Sequence, residues 1–315
     1  MMQTYTHIPV MCEEILTLLA PALSAPGSVM VDATLGLGGH SLAALNRYPD
    51  LTLIGIDRDP QAIDAAQVAL ADHRDRMEIH HTTFDHLEDV VDGRTVDTVL
   101  FDLGLSSLQI DSIERGFSYA QDSPLDMRMD GDTSQLSAAD VVNTYSATQL
   151  ESIFRHYGDE SHARRIARAI VAQREIQPFE TSQQLVETVT EAIPRSAKRI
   201  GHRAKRVFQA VRMEVNSERN LLTSGLPQGL GVLNPGGFLA VLSYHSGEDR
   251  LVKKVFAEAC SDQVPLGLPV IPEAHQARFS PVTRGAQSAS EQEIASNPRA
   301  SSARLRVIRR KEVLS

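Results

Sequence analysis

Acidic residues end several short apolar runs in the first hundred positions, and the earliest is followed by a cluster of glycines. Val29 to Ala33 carries Asp32 near its end, then Gly36, Gly38 and Gly39, then a helical apolar pattern from Ser41 to Tyr48. Glycines at such a turn let the backbone bend sharply and come close to a ligand that a Cβ would exclude. The helix behind them turns free N–H groups and a positive dipole end toward the turn. This is the outline of a nucleotide-cofactor loop, and also of an ordinary tight βα turn. The dinucleotide fingerprint G-x-G-x-x-G is only partly met, because Ser41 holds the place of the third glycine.

The next run, Leu51 to Ile56, ends at Asp57, 21 residues after Gly36. A carboxylate there can accept hydrogen bonds from both ribose hydroxyls of an adenosine, which suits NAD and S-adenosylmethionine alike. Asp59 and Pro60 have the residue types of a helix N-cap and first turn, so capping is expected of Asp59 and ribose binding of Asp57. Val96 to Phe101 ends at Asp102-Leu-Gly104, which can face a cofactor's amino group, face a substrate, or cap its own turn. Phe84, just past Met77 to His81, can lie along an adenine or pack into the core. His40 marks a helix start, and nothing in the pattern makes it a base.

These residues need a sheet to bring them together. Val29–Ala33, Leu51–Ile56, Met77–His81 and Val96–Phe101 alternate with helical patterns, which predicts βαβ units, a parallel sheet and right-handed crossovers. Ligands of such sheets bind at the carboxyl ends of the strands, where these acids fall. An amphipathic helix is expected over His7–Leu19, with a loop from Pro21 to Gly27. The alternation stops at Ser106–Asp132, rich in Ser, Asp and Gly. Helical segments follow at Ser137–Asn143, Thr148–Tyr157, Glu160–Arg174 and Thr181–Ala192. A helix from Lys205 to Leu222 leads back to a strand, Phe238–Ser243, beyond the Asn234-Pro-Gly-Gly237 turn. A helix over Gly247–Cys260, a loop-like Ser261–Arg299 and a last strand Arg304–Ile308 close the chain. The expected organisation is one α/β domain, residues 1–109 and 201–315, interrupted by a helical insertion at 110–200.

The 315 residues are 42% apolar and 23% charged, an ordinary globular composition, and no apolar run reaches the ~18 residues of a membrane helix. Met1 to Ile8 has no basic-then-apolar signal, so a cytoplasmic protein is expected. Cys12 and Cys260 lack metal-ligand spacing and read as structural free thiols; no metal is expected. The net charge of −9 excludes an all-over basic nucleic-acid binder, but the charge is uneven. Seven basic residues lie between Arg195 and Glu214 against one acid, including Lys198, Arg199 and Arg203, and six with no acid lie between Arg299 and Lys311. Such local runs can hold phosphates where the average charge would not, or form a solvated face. Ser243-Tyr-His-Ser-Gly-Glu-Asp-Arg250 opens a helix, and His245 and Arg250 there can contact a substrate, or Glu248 and Arg250 can form a solvated pair.

At this point the chain resembles the bacterial 16S ribosomal RNA (cytosine-N4)-methyltransferases that act at the decoding centre. The matching stretches are His7-Ile-Pro-Val10, Asp32-Ala-Thr-Leu-Gly-Leu-Gly-Gly-His40, Asp57-Arg-Asp-Pro60, Phe101-Asp-Leu-Gly-Leu-Ser-Ser107, Arg115-Gly-Phe-Ser118 and Pro124-Leu-Asp-Met-Arg-Met-Asp130. They continue with Arg165-Ile-Ala-Arg-Ala-Ile170, Phe208-Gln-Ala-Val-Arg212, Pro235-Gly-Gly237, Ser243-Tyr-His-Ser246, Glu248-Asp-Arg250 and Asn297-Pro-Arg299, in order over nearly the whole chain. The departures are Leu108 where a proline is usual, Gly247 where a leucine is usual, and Phe238 where a basic residue is usual.

The resemblance implies a class I methyltransferase (Rossmann-like) doubly wound α/β fold with an inserted helical domain. It implies S-adenosyl-L-methionine as cofactor, held by Gly38, Gly39, His40, Asp57, Phe84, Asp102 and Gln109. It also implies 16S rRNA or the small ribosomal subunit as partner, with no membrane role; a homodimer is one assembly the sequence admits. A sulfonium methyl is already electrophilic, so positioning is the main task. The exocyclic amine of cytosine is a poor nucleophile because its lone pair is delocalised. An acceptor for its protons is therefore expected, Asp102 or a backbone carbonyl within Leu103–Ser106. The chain lacks the acid-or-Asn-Pro-Pro-aromatic string of other amino-methyltransferases. RNA contacts are expected from Lys198, Arg199, Arg203, His245 and Arg250. Two other classes fit fewer of these features: a nicotinamide-dependent oxidoreductase and a non-catalytic RNA-binding module.

Overall fold

A computed structural model of the chain describes residues 9–132, 135–194, 200–262, 272 and 275–312, with residues 200–203 described through their backbone alone. It divides into two compact units, residues 1–104 with 220–315, and residues 105–219. These boundaries differ from the expected 110 and 200, because the helix after residue 200 packs on the helices before it.

The first unit is built on one seven-stranded sheet. Its strands are β1 (Val29–Asp32), β2 (Thr52–Asp57), β3 (Met77–His81), β4 (Val96–Asp102), β5 (Leu233–Ser243), β6 (Phe279–Pro281) and β7 (Arg304–Arg310). The order is β3-β2-β1-β4-β5-β7-β6, with β1 to β5 parallel and β7 antiparallel to both β5 and β6. The strands in the middle are buried on both faces, which is why they read as continuous apolar runs rather than as alternating ones. One core cluster gathers Ile15, Leu16, Leu19, Leu45, Leu53 and Leu305 on one side, and another gathers Val31, Ile54, Val99, Phe101, Leu226 and Val241 on the other. At the amino ends, Asp97 ties three strands together, its carboxylate accepting from Val29 N at 2.8 Å and from Asn234 Nδ2 at 2.9 Å.

The α-helices among the described residues are α1 (Cys12–Leu23), α2 (Gly39–Arg47), α3 (Pro60–Ala69), α4 (Leu87–Val91), α5 (Ser107–Asp111), α6 (Ala138–Thr144), α7 (Ala147–His156), α8 (Ala163–Arg174), α9 (Ser182–Ala192), α10 (Ile200–Val215), α11 (Glu218–Gly231), α12 (Ser246–Ala259) and α13 (Glu291–Ser296). α1 runs through Pro21 into the expected loop; a proline in the last turn removes one intrahelical bond only, and Ser24 N still closes on Ala20 O. The segment expected to be loop-like, 261–299, contains β6 and α13. Strands of three residues carry no periodicity that a sequence could display.

The single helix expected over Lys205–Leu222 is two helices. Ser217 adopts a left-handed φ of 51° between α10 and α11, so the chain turns there. α11 was hidden in the sequence by Gly225, Pro227, Gly229 and Gly231, poor helix formers. Packing explains the glycines: a Cβ on Gly225 would sit 2.6 Å from the Phe84 ring, and one on Gly229 would sit 3.0 Å from Phe101.

The second unit is helical. Ser106, Ser137, Ser146 and Thr181 each begin a helix with a reciprocal capping box, closed by Gln109, Asp140, Gln149 and Gln184 in turn. Its core gathers Leu150, Phe154, Ile166, Ile170, Phe179, Leu185, Val207 and Val211. The Pro124–Asp130 string lies across this bundle. Leu125 N donates to Glu180 O at 3.0 Å, and Met129 N donates to Asn216 Oδ1 at 2.8 Å, while Asn216 Nδ2 donates to Met127 O at 2.7 Å. Asn216 is buried, so removing its amide leaves a buried N–H and a buried C=O without partners. Asn216→Ala is expected to lower the stability of this unit by about 1–3 kcal/mol, read as a shifted urea midpoint at unchanged slope.

Candidate active site

Three carboxylates end neighbouring parallel strands of the first unit: Asp32 on β1, Asp57 on β2 and Asp102 on β4. The glycine turn follows β1. Gly36 and Gly38 have φ of 53° and 77°, the left-handed region that L side chains avoid. Gly39 is required by packing instead: a Cβ there would lie 2.7 Å from Pro9 Cγ. The turn feeds α2, whose N-cap Gly38 offers no side-chain cap. The first backbone N–H groups of α2 therefore have no intrahelical acceptor and no capping oxygen.

Asp57 is tied to that turn. Its Oδ2 accepts from Gly36 N at 2.7 Å and its Oδ1 from Asp59 N at 2.9 Å, leaving one acceptor site on each oxygen for a diol. Burial pushes its pKa up to about 6, against the pull of these two backbone donors. Asp59 caps α3, its side chain accepting from Gln61 N at 3.1 Å, as its residue type suggested. Phe84 is partly buried and meets Phe101 edge-to-face at 5.5 Å, so one side of its ring belongs to the core.

Asp32 is buried and points inward, its Oδ2 accepting from Ser41 Oγ at 2.6 Å and its Oδ1 from Thr34 N at 3.3 Å. That bond accounts for Ser41 at the third-glycine position: its hydroxyl meets the Asp32 oxygen that Thr34 N does not reach.

Asp102 is the best-connected acid of the three. Tyr244 donates its phenol to Oδ1 at 2.8 Å, and His40 Nδ1 lies 3.4 Å from Oδ2. The other ring nitrogen of His40, Nε2, is 3.0 Å from the Val10 carbonyl. A carbonyl only accepts, so Nε2 carries a proton and Nδ1 faces the carboxylate. Asp102 N also donates to Thr34 Oγ1 at 2.6 Å, tying β4 to the turn after β1. Burial raises the Asp102 pKa, opposed by His40 and by the Tyr244 hydrogen bond. Burial and Asp102 together push the Tyr244 phenol up, so it stays a donor. The Asp102 side chain nevertheless keeps 25% of its surface open while His40 keeps 6%, so Asp102 presents an unblocked side and His40 is enclosed.

Tyr244 is the residue that the sequence reading passed over within the Ser243–Arg250 run. The signal for it was weak: a lone aromatic directly after a strand. Gly104, at φ 106°, leaves room for it, because a Cβ there would approach the Tyr244 ring to 3.3 Å. Glu248 is buried and holds the Tyr244 backbone, accepting from Tyr244 N at 2.9 Å.

The other expected site residues fall elsewhere. His245 caps α12, its Nδ1 accepting from Gly247 N at 3.2 Å and Glu248 N at 3.3 Å, with Nε2 3.1 Å from Glu248 Oε1. Helix capping accounts for this ring more directly than a substrate contact does. Arg250 is exposed on α12. Gln109 belongs to the helical unit, buried, with its side chain closing the capping box on Ser106 N at 3.1 Å. Lys198 and Arg199 lie outside the described residues; Arg203 lies on α10 with its side chain outside them. Burial pushes the Cys12 thiol up to about 11, so it stays protonated. Among the described residues, no helix is long and apolar enough to cross a membrane.

Comparison with known proteins gives one consistent picture. The family model described as the MraW methylase family matches residues 4–311. A Cutibacterium acnes protein named ribosomal RNA small subunit methyltransferase H is 53% identical over 309 residues, covering 96% of this chain and 91% of its own length. A Streptomyces avermitilis protein of the same name is 51% identical over 304 residues, covering 95% of each chain. Among solved structures, an rRNA methylase from Streptococcus thermophilus is similar at a TM-score of 0.45 and 13% identity, over 98% of this chain and 100% of its own.

Tyr244→Phe tests the support of Asp102 directly. A hydrogen bond to a charged acceptor is worth about 1.5–3 kcal/mol, so its loss should raise the proton affinity of Asp102 about tenfold or more. Carbon-detected NMR titration of the carboxyl should read an upward move in pKa with the fold unchanged.

Proposed function

Because the chain belongs to the MraW methylase family, we propose that it transfers a methyl group from S-adenosyl-L-methionine to the exocyclic N4 of a cytidine in the decoding region of 16S ribosomal RNA. The observation that carries the cofactor assignment is the uncapped start of α2 beside the strand-end acids Asp57 and Asp102. The donor set fits the molecule. Open N–H groups of Gly39 and His40 suit a carboxylate, the spare acceptor sites of Asp57 suit a ribose diol, and Phe84 supplies an apolar face for adenine. Asp102 adds negative charge for an ammonium or sulfonium. Gln109 is assigned to the cofactor on the family resemblance. The relatives' names give no support to a nicotinamide-dependent oxidoreductase or a non-catalytic RNA-binding module.

When bound, the cofactor supplies a methyl group on a sulfonium that needs no further activation. The chain's own task is to hold the donor and to make a conjugated amine nucleophilic. Asp102 is the candidate acceptor of the amino protons: hydrogen-bonding them draws the nitrogen lone pair out of conjugation and takes up charge as the bond forms. Tyr244 and His40 fix the rotation of that carboxylate, so that its open side is presented without reorganisation. We place RNA contacts on the helical unit, through Lys198, Arg199 and Arg203, with structured RNA read by shape and by splayed bases. Arg250 stays a candidate for the target nucleotide, and His245 acts there through its helix cap. An rRNA substrate puts the reaction in the cytoplasm; naked 16S rRNA against small-subunit particles, and monomer against homodimer, are distinguished by assaying both substrates and by light scattering.

The assay that tests the whole reading measures thermal stabilisation by S-adenosylhomocysteine and by NAD, followed by label transfer from S-adenosylmethionine to small-subunit rRNA. Stabilisation by S-adenosylhomocysteine and label at cytidine N4 are expected; stabilisation by NAD alone overturns it. Asp102→Ala should abolish turnover while S-adenosylhomocysteine still binds if the role is chemical, and lost binding would make Asp102 a cofactor residue.

Asp57 gives the pH dependence its sign. In the free protein the folded pKa of about 6 lies above the usual carboxylate value, so the neutral form is favoured between about 4 and 6. Without ligand, its contribution to stability therefore falls as pH rises through that window. Ribose hydroxyls are donors and need the carboxylate, so ligand affinity runs the other way. The S-adenosylhomocysteine Kd should be flat above pH 6 and weaken about tenfold per pH unit below it. Asp57→Asn should weaken binding about ten- to a hundredfold and abolish that slope, as isothermal calorimetry across pH would read.

A further inference from the structure

α8 carries three arginines on one exposed face, Arg164, Arg165 and Arg168, while Ala163, Ile166, Ala167 and Ile170 face the core of the helical unit. Among the described residues, none of the three guanidiniums makes a hydrogen bond or ion pair. Elsewhere in the same unit arginines are matched: Arg155 with Glu151 at 2.7 Å, Arg128 with Asp126 at 2.5 Å and Arg212 with Glu218 at 2.7 Å. The placement also works against the helix. Arg164 and Arg165 stand in the first turn, where the dipole disfavours cations and no acidic residue offsets them, and Arg164 and Arg168 repel as a like-charged i,i+4 pair. Folding gives no reason for this row, whereas a polyanion does.

The row continues onto α10. Arg206 reaches the backbone carbonyl of Asp159 at 3.3 Å, in the loop just before α8. That loop lies directly on α10 because residue 158 is glycine; a Cβ would sit 2.7 Å from Arg206 O and 2.8 Å from Phe154 O. Arg206 and its neighbour Lys205 are exposed. Arg206 is thus held at the loop that opens α8, with exposed Lys205 next to it in the chain. The acids nearest the turn into α8 are Asp159 and Glu160, and Glu160 is buried, with Oε1 accepting from His162 N at 2.8 Å.

We propose that Arg164, Arg165 and Arg168 of α8, continued by Lys205 and Arg206 of α10, form a phosphate-binding ridge for the rRNA backbone. The proposal rests on the methyltransferase reading for its choice of polyanion. Guanidinium groups fork onto phosphate oxygens through paired N–H bonds, and an unpaired row of them loses no protein contact when RNA docks. Such contacts set register and orientation rather than base choice. The ridge would therefore orient the substrate while the cytidine is chosen elsewhere.

The test uses the full chain and a transcript of the small-subunit decoding region, with binding read by fluorescence anisotropy from 50 to 200 mM salt. Each phosphate contact contributes roughly 0.7–0.9 to the slope of log K against log salt. The triple variant R164Q/R165Q/R168Q should flatten that slope by about 2 to 3 and weaken binding at least about tenfold at 100 mM salt. The lysine variant R164K/R165K/R168K should keep most of the affinity, neither variant should lower the thermal midpoint, and neither should change the S-adenosylhomocysteine Kd. Unchanged RNA affinity and salt slope in the glutamine variant overturn the ridge, even where the wild-type chain methylates the transcript. Loss confined to assembled small-subunit particles, with naked RNA binding intact, also overturns it and points to a protein partner. Should the wild-type chain bind no RNA and transfer no methyl group, it is the methyltransferase reading that fails.

Discussion

The burial of carboxylates at the carboxyl ends of adjacent parallel strands is the constraint on which the site depends. Asp32, Asp57 and Asp102 end β1, β2 and β4, and burial raises the proton affinity of all three. Each is held by what surrounds it: Ser41 Oγ and Thr34 N donate to Asp32, two backbone N–H groups to Asp57, and Tyr244 to Asp102, with the His40 ring beside it. Those donors come from the turns that follow the strands and from the start of α2, so the charges dictate the loops. An acid in this position without its donor would cost the full desolvation of a buried charge. Carboxylates gathered at one sheet edge are complementary to a sulfonium or ammonium group. Binding a cationic donor and stabilising the loops are in this way one electrostatic problem.

The division of labour between the three acids follows from their surroundings. Asp32 is closed off by Ser41 and supports the turn. Asp57 has one oxygen on Gly36 N and one on Asp59 N, each oxygen keeping a second acceptor site. Asp102 faces His40, whose Nε2 lies on Val10 O, and its orientation is set by Tyr244. Similar side chains at equivalent strand ends thus perform three tasks, separated only by what donates to them and by how much surface stays open.

Much of this was legible in the sequence because strand ends and glycine turns have local signatures. The parallel strands of the sheet, the turn after β1, the strand-end placement of Asp57 and Asp102, and the Asp59 cap all follow from short-range patterns. What stayed hidden depends on distant contacts. The glycines of α11 read as helix breakers until Phe84 and Phe101 occupy the space their missing side chains leave. Tyr244 gains meaning only when β5 sits beside β4, which brings it within reach of a carboxylate 142 residues earlier. That His245 Nδ1 caps α12 is visible only once the helix start is built. The break between α10 and α11 turns on Ser217 and on the bonds Asn216 makes to Met127 and Met129, 89 and 87 residues away. For the same reason the insertion closes at 219 instead of 200: α10 contributes Val207 and Val211 to the helical core, and chain order alone does not say which core a helix joins.

Charge is sorted by position more than by unit. Residues 105–219 carry 15 Lys and Arg against 16 Asp and Glu, so the helical unit is nearly neutral as a whole, and a composition-based reading finds no nucleic-acid binder there. Several of its acids are engaged locally, in capping boxes and ion pairs such as Asp140 on Ser137 N and Glu218 on Arg212. The α8 arginines are left out of that pairing. Since electrostatic attraction to a polyanion is set by unpaired charge within about a Debye length, roughly 8–10 Å, such a row counts for more than the average. Phosphate binding by an acidic chain is then no contradiction. The strand-end acids of the sheet unit suit a small cation, the uncompensated cations of the helical unit suit a polyanion, and a methyl transfer from sulfonium to RNA requires both.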